Sequence, residues 1–88
     1  MHERALMRDV LARVEQLAVE EGAVRVTRID VRLGALSHFT PEHFREHFED
    51  AARGTLADGA EVAAVLKDDP TDPRAQGVVL LGVEVEIA

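Results

Sequence analysis

Leu6, Met7, Val10, Leu11, Val14, Leu17 and Ala18 recur at three- and four-residue steps, and Arg4, Arg8, Asp9, Arg13, Glu15 and Gln16 fill the positions between them. That period puts the apolar side chains on one stripe of an α-helix and the charges on a wet face. The spacing predicts a helix from about Glu3 to about Glu21, with Gly22 closing it in the left-handed conformation that glycine takes at no steric cost. The period then changes. Ile29, Val31 and Leu33 alternate with Arg28, Asp30 and Arg32, the signature of a strand buried on one face. Val24 and Val26 are out of phase with that set, which predicts a β-bulge near Thr27.

Gly34 ends the strand, and Thr40-Pro41-Glu42 announces a second helix. A threonine hydroxyl caps unsatisfied helix amides, and proline fits the first helical position because its missing N–H is not needed there. Phe44, Phe48, Ala51 and Ala52 form the inner stripe of this helix, which ends by Gly54. A turn through Asp58-Gly59 leads to a strand over Glu61–Leu66, with Val62, Ala64 and Leu66 expected on one face. Lys67 to Gly77 reads as a loop, since two prolines and three aspartates leave little to bury. A last strand runs from Val78 to Ile87, with Val79, Leu81, Val83, Val85 and Ile87 expected on a common face. The order α-β-α-β-β predicts an α+β fold, two helices packed on one face of a three-stranded mixed sheet.

At 88 residues and 47% hydrophobic content the chain is one domain with enough apolar material for a single core. A net charge of −7 argues against nucleic acid and against an anionic membrane surface as partners. The absence of cysteine excludes disulfides, thiolate zinc sites and cysteine nucleophiles, so no zinc is expected. No apolar run reaches membrane-spanning length and the start is not that of a signal peptide, so a cytoplasmic location is expected. No phosphate-cradling glycine loop and no Ser/His/Asp or paired-carboxylate pattern stands out, and a non-enzyme is expected.

The candidate chemistry lies at the start, Met1-His2-Glu3. A terminal amine, the amide nitrogens that follow and the His2 imidazole can all face one small cation. Such a nitrogen-rich, near-planar set suits nickel(II) or copper(II) over magnesium or calcium. The plainer reading is an exposed His2, with Glu3 favouring the positive end of the helix dipole. His43 and His47 stand four apart on one face of the second helix, a spacing that can chelate a metal, with His38 just before the helix as a third ligand. Beside Glu42, Glu46 and Asp50, the plainer reading of this pair is two solvated histidines. Asp68, Asp69 and Asp72 lack the dense, glycine-centred ligand set of a calcium loop and read as a soluble turn.

Taken in order, Met1-His2-Glu3, Gly22-Ala23, Arg25-Val26-Thr27, Val31 to Ser37, Pro41-Glu42, Phe48-Glu49, Gly54-Thr55, Gly59-Ala60-Glu61 and Val83 to Glu86 resemble the HypA family of nickel metallochaperones. The resemblance implies nickel(II) held by the terminal amine, backbone nitrogens and imidazole of Met1, His2 and Glu3, with Glu3 either a ligand or an orienting group. It implies binding that releases protons, and delivery to a maturation GTPase and a nickel–iron hydrogenase or urease precursor. Nothing in the family pattern calls for His43 or His47. The family carries a zinc-binding insert with two CxxC pairs between its last strands. Here residues 67–77 stand in that place, so residues 1–88 resemble the nickel-binding domain without it. A rival reading is a protein-interaction domain that keeps the fold and binds a basic partner without metal. A third is a homodimer paired or swapped through the last two strands.

Overall fold

The apolar stripe of the first segment does become one face of a helix. A computed structural model describes residues 2–35, 37–67, 71 and 77–88, with His2 described by its backbone. The elements are α1 (His2–Glu20), β1 (Ala23–Leu33), α2 (Pro41–Ala51), β2 (Glu61–Leu66) and β3 (Val78–Ile87). Met7, Val10, Leu11, Val14 and Ala18 of α1 are buried. Gly22, at φ +68°, turns the chain out of α1 and its N–H donates to the Val19 carbonyl at 3.0 Å.

The sheet order is β2-β1-β3, so β1 is central and both later strands are edges. β1 and β2 run parallel, as the α2 crossover between them requires, with Ile29 opposite Val62 and Val31 opposite Ala64. β1 and β3 run antiparallel, with Ile29 opposite Val83. The expected bulge is present: between Val26 and Arg28 the register steps past Thr27, whose hydroxyl donates to the Glu84 carbonyl at 3.1 Å. The bulge brings Val26 onto the face of Ile29, Val31 and Leu33, all buried, while Val24 is exposed. Before β2 begins, the Val26 N–H donates instead to the Leu56 carbonyl at 2.8 Å.

β3 departs from simple alternation. Asp30 pairs with Gly82 but Val31 pairs with Leu80, so Leu81 is an extra residue on β3. The inserted residue reverses the phase. Val83 and Val85 pack on the core as expected, but Val78 and Leu80 join them in place of Val79 and Leu81. Leu81 and Ile87 are exposed, as is Leu66 at the end of β2.

Both helices lie over the face of the sheet that carries Val26, Ile29, Val31 and Leu33. α1 packs on β1 and β3, and α2 packs on β2 and touches α1. The anchors of α2 are Phe44 and Phe48, both fully buried, with Phe39 beside them at 5.7 Å from Phe44 in an edge-on contact. Thr40 caps α2 by accepting the His43 N–H at 3.1 Å. On the uncovered face the Arg28 guanidinium meets three carboxylates: Asp30 at 2.9 Å, and Glu61 and Glu84 on the flanking strands at 3.5 Å each. The hydrogen bond and charge of Arg28 hold the Asp30 carboxyl below its ordinary range, against an opposing desolvation effect. Among the described residues no helix is long and apolar enough to cross a membrane.

Candidate metal centre

Of the three residues expected to hold a metal at the chain start, Glu3 has a described side chain. Met1 and the His2 side chain lie outside the described residues, as do Asp68, Asp69 and Asp72. Glu3 stands in the first turn of α1, where the stripe of Met7, Val10 and Leu11 fixes the azimuth of the helix against the core. That azimuth points the Glu3 carboxylate toward α2.

On α2, each buried phenylalanine follows a histidine. Adjacent helical residues lie about 100° apart around the axis, so burying Phe44 and Phe48 turns His43 and His47 to the side of α2 that meets Glu3 of α1. One carboxylate oxygen of Glu3 lies 3.9 Å from His43 Nε2 and 3.8 Å from His47 Nε2. The two imidazole centroids are 4.4 Å apart at an interplanar angle of 65°. Both Glu3 distances exceed a hydrogen bond, so the three groups face one another without one closing on the next. All three are half-exposed. One ligand atom from each lies within 4.8 Å of the others, an arrangement that could hold a metal ion.

The fold therefore joins two features that are separate in sequence, Glu3 of the chain-start motif and the histidine pair of α2. His38 does not belong to this cluster. It is exposed and adopts φ +66° in the turn before α2, and Glu3 takes the third position that the sequence suggested for it. The i,i+4 spacing makes the histidine pair legible in the sequence. Its carboxylate partner is set by the docking of α1 against α2.

Glu3 and His47 of the cluster also line a groove of about 460 Å³ between the helices, together with the buried Met7 and Leu11 and with Arg4, Arg8 and Asp50. Phe39 backs the site, its ring 5.6 Å from that of His43. Two carboxylates, Glu3 and Asp50, and two guanidinium groups, Arg4 and Arg8, thus line the same groove. A metal held there depends on bonds to imidazole nitrogen and carboxylate oxygen, which favours late first-row divalent ions over magnesium or calcium.

Comparison with known proteins identifies the lineage. Residues 1–69 match the family model described as hydrogenase/urease nickel incorporation, metallochaperone, HypA. A hydrogenase maturation factor HypA from Methylocella silvestris is 44% identical over 62 residues, which cover 70% of this chain and 55% of that protein. The corresponding factor from Chlorobium limicola is 40% identical over 62 residues, covering 70% and 53%. The matched stretch thus spans little more than half the length of these curated relatives. The solution structure of the Ni metallochaperone HypA from Helicobacter pylori superposes with a TM-score of 0.80 at 16% identity, covering 98% of each chain, and shows that the fold is shared. With the family model matched over most of its length, the chain belongs to the HypA family of hydrogenase and urease nickel-incorporation metallochaperones.

Proposed function

We propose that this protein binds nickel(II) at Met1, His2 and Glu3 and delivers it for maturation of a nickel–iron hydrogenase or urease. The carrying observation is the family match, which begins at residue 1 and so includes the Met-His-Glu motif. α1 starts at His2, so the backbone of His2 and Glu3 belongs to a helix docked on the core. A rigid support of this kind limits the freedom that a ligand set loses on binding. The terminal amine, deprotonated amides and His2 imidazole supply a planar nitrogen set, and the Glu3 carboxylate offsets the positive helix end or orients the ligands.

Delivery requires a partner that strips the ion, and the recipients are a maturation GTPase and the metalloenzyme precursor. The protein acts in the cytoplasm and performs no catalysis of its own. Residues 1–88 form the nickel-binding domain, with the segment from 67 to 77 in place of the family's zinc domain. This division is supported by the short bridge at that point. The Lys67 N–H donates to the Leu33 carbonyl at 2.8 Å and the Gly34 N–H donates to the Gly77 carbonyl at 2.9 Å. Both ends of the segment are thereby tied to the same end of β1.

Acetylation of the terminal amine tests the ligand set. The acetylated protein is expected to keep its circular dichroism spectrum and lose tight nickel(II) binding. Unchanged affinity after complete acetylation would remove the amine from the site. A stable, metal-independent complex with a basic partner, together with weak and unselective nickel binding, would favour an interaction domain instead.

A further inference from the structure

The chain-start reading uses Glu3 but leaves the two imidazoles opposite it without a role. We propose that the Glu3 side chain, His43 and His47 form a second cation site, which shares residue Glu3 with the chain-start nickel site but takes its other ligands from α2, and which holds a late first-row divalent ion such as zinc(II) in tetrahedral coordination with one exchangeable position.

Geometry carries the assignment. Zinc(II) binds imidazole nitrogen at about 2.0–2.1 Å and carboxylate oxygen at about 2.0–2.2 Å, so tetrahedral ligand atoms lie roughly 3.3–3.5 Å apart. The Glu3 oxygen stands 3.9 Å from His43 Nε2 and 3.8 Å from His47 Nε2. Closing the two Glu3–imidazole distances takes a few tenths of an ångström each, and the two imidazole nitrogens, within 4.8 Å of each other, close by rotation of side chains that are about 40% exposed. The backbones that carry them are held by fully buried anchors, Phe44 and Phe48 in α2 and Val14 in α1. The ligands therefore start close to their bound positions, which limits the ordering cost of binding.

Ligand chemistry selects the class of ion. Arg4 and Arg8 line the groove together with Glu3 and Asp50. A hard cation prefers an all-oxygen ligand set, whereas an ion that bonds to imidazole finds two nitrogen ligands and one oxygen here. A two-histidine, one-carboxylate set leaves one tetrahedral position for water or an incoming ligand, as in zinc sites that exchange ligands. The two sites also differ in geometry. The chain-start nitrogen set is planar and suits nickel(II), while the α1–α2 set is tetrahedral and cysteine-free. The expectation of no zinc rests on the absence of cysteine, whereas this site would take the ion through histidine and glutamate alone.

The test uses the full chain with a free N-terminus, cobalt(II) as a spectroscopic probe and zinc(II) as competitor. The wild type is expected to develop the intense visible absorption of tetrahedral cobalt(II), saturating at one equivalent and abolished by zinc(II). A double variant, His43→Gln with His47→Gln, is expected to weaken cobalt(II) binding by more than the roughly 10–100-fold typical of removing an outer-shell partner. Its metal-free circular dichroism and thermal midpoint should not change, and the single variants His43→Gln and His47→Gln guard against misfolding of the double. His2→Ala is expected to keep the cobalt(II) band. Equal cobalt(II) binding by the double variant and the wild type would overturn the proposal, as would loss of the band in His2→Ala. The chain-start reading is tested separately, by the planar nickel(II) band, so the two can fail independently.

Discussion

The position of the α2 histidines depends on the burial of Phe44 and Phe48, and truncating Phe48 tests that dependence. Phe48 is fully buried and stacks near Phe44, with ring centroids 6.3 Å apart. Phe48→Ala removes the ring and leaves a cavity beneath α2, a change that costs about 3–5 kcal/mol in well-packed cores. A chain of 88 residues has a total stability of roughly 4–13 kcal/mol at the usual per-residue value, so the variant loses a large share of it. At about 4–8 °C per kcal/mol for a domain of this size, the thermal midpoint falls by roughly 12 °C or more. The neighbouring substitution His47→Ala, one residue away on the groove rim, is expected to stay within about 0.5 kcal/mol of the wild type. The chain holds no Trp or Tyr, so urea unfolding is best followed by far-ultraviolet circular dichroism. The two variants and the wild type should share one slope and differ in midpoint. A loss below about 1 kcal/mol for Phe48→Ala, far under the usual core value, would refute the claim that the phenylalanines orient the metal-facing side of α2.

Further expectations concern the cap and the open face of the sheet. Thr40→Ala, which leaves the His43 N–H without its hydroxyl partner, should cost about 1 kcal/mol in the same unfolding assay; no loss would mean that the cap is dispensable. Asp30 has a folded pKa below its unfolded value because Arg28 hydrogen-bonds its carboxylate. Its contribution is therefore present above the ordinary carboxylate range and lost as pH falls through the depressed folded value. Asp30→Asn should flatten the pH dependence of stability across that acidic window, by a small amount since the pair is solvent-exposed; an unchanged acid profile would show that Arg28 does not favour the ionised carboxylate.

The local elements were legible because each carries its own chemistry. Thr40-Pro41 marks the start of α2 by capping and by the fixed φ of proline, and the phase slip between Val26 and Ile29 reveals the bulge at Thr27. β3 shows the limit of such reading. Val78 to Leu81 is an unbroken apolar run, so no polar position marks which residue is extra. The bulge at Leu81 is set by pairing with Asp30 and Val31 of β1 rather than by β3 itself. The metal cluster divides the same way. Two histidines at i,i+4 are visible on one helix face, while their partner Glu3 lies forty residues earlier and reaches them through packing of α1 on α2. Sequence proximity suggested His38 instead, and the turn at φ +66° leaves that residue outside the cluster.

The central claim is nickel(II) binding at the chain start, and the direct measurement is a titration of untagged protein with a free N-terminus, by calorimetry and absorption, beside His2→Ala. The account predicts one tight equivalent with the d–d band of planar nickel(II), lost in His2→Ala while the fold is kept. Full affinity and an unchanged band in His2→Ala would contradict it.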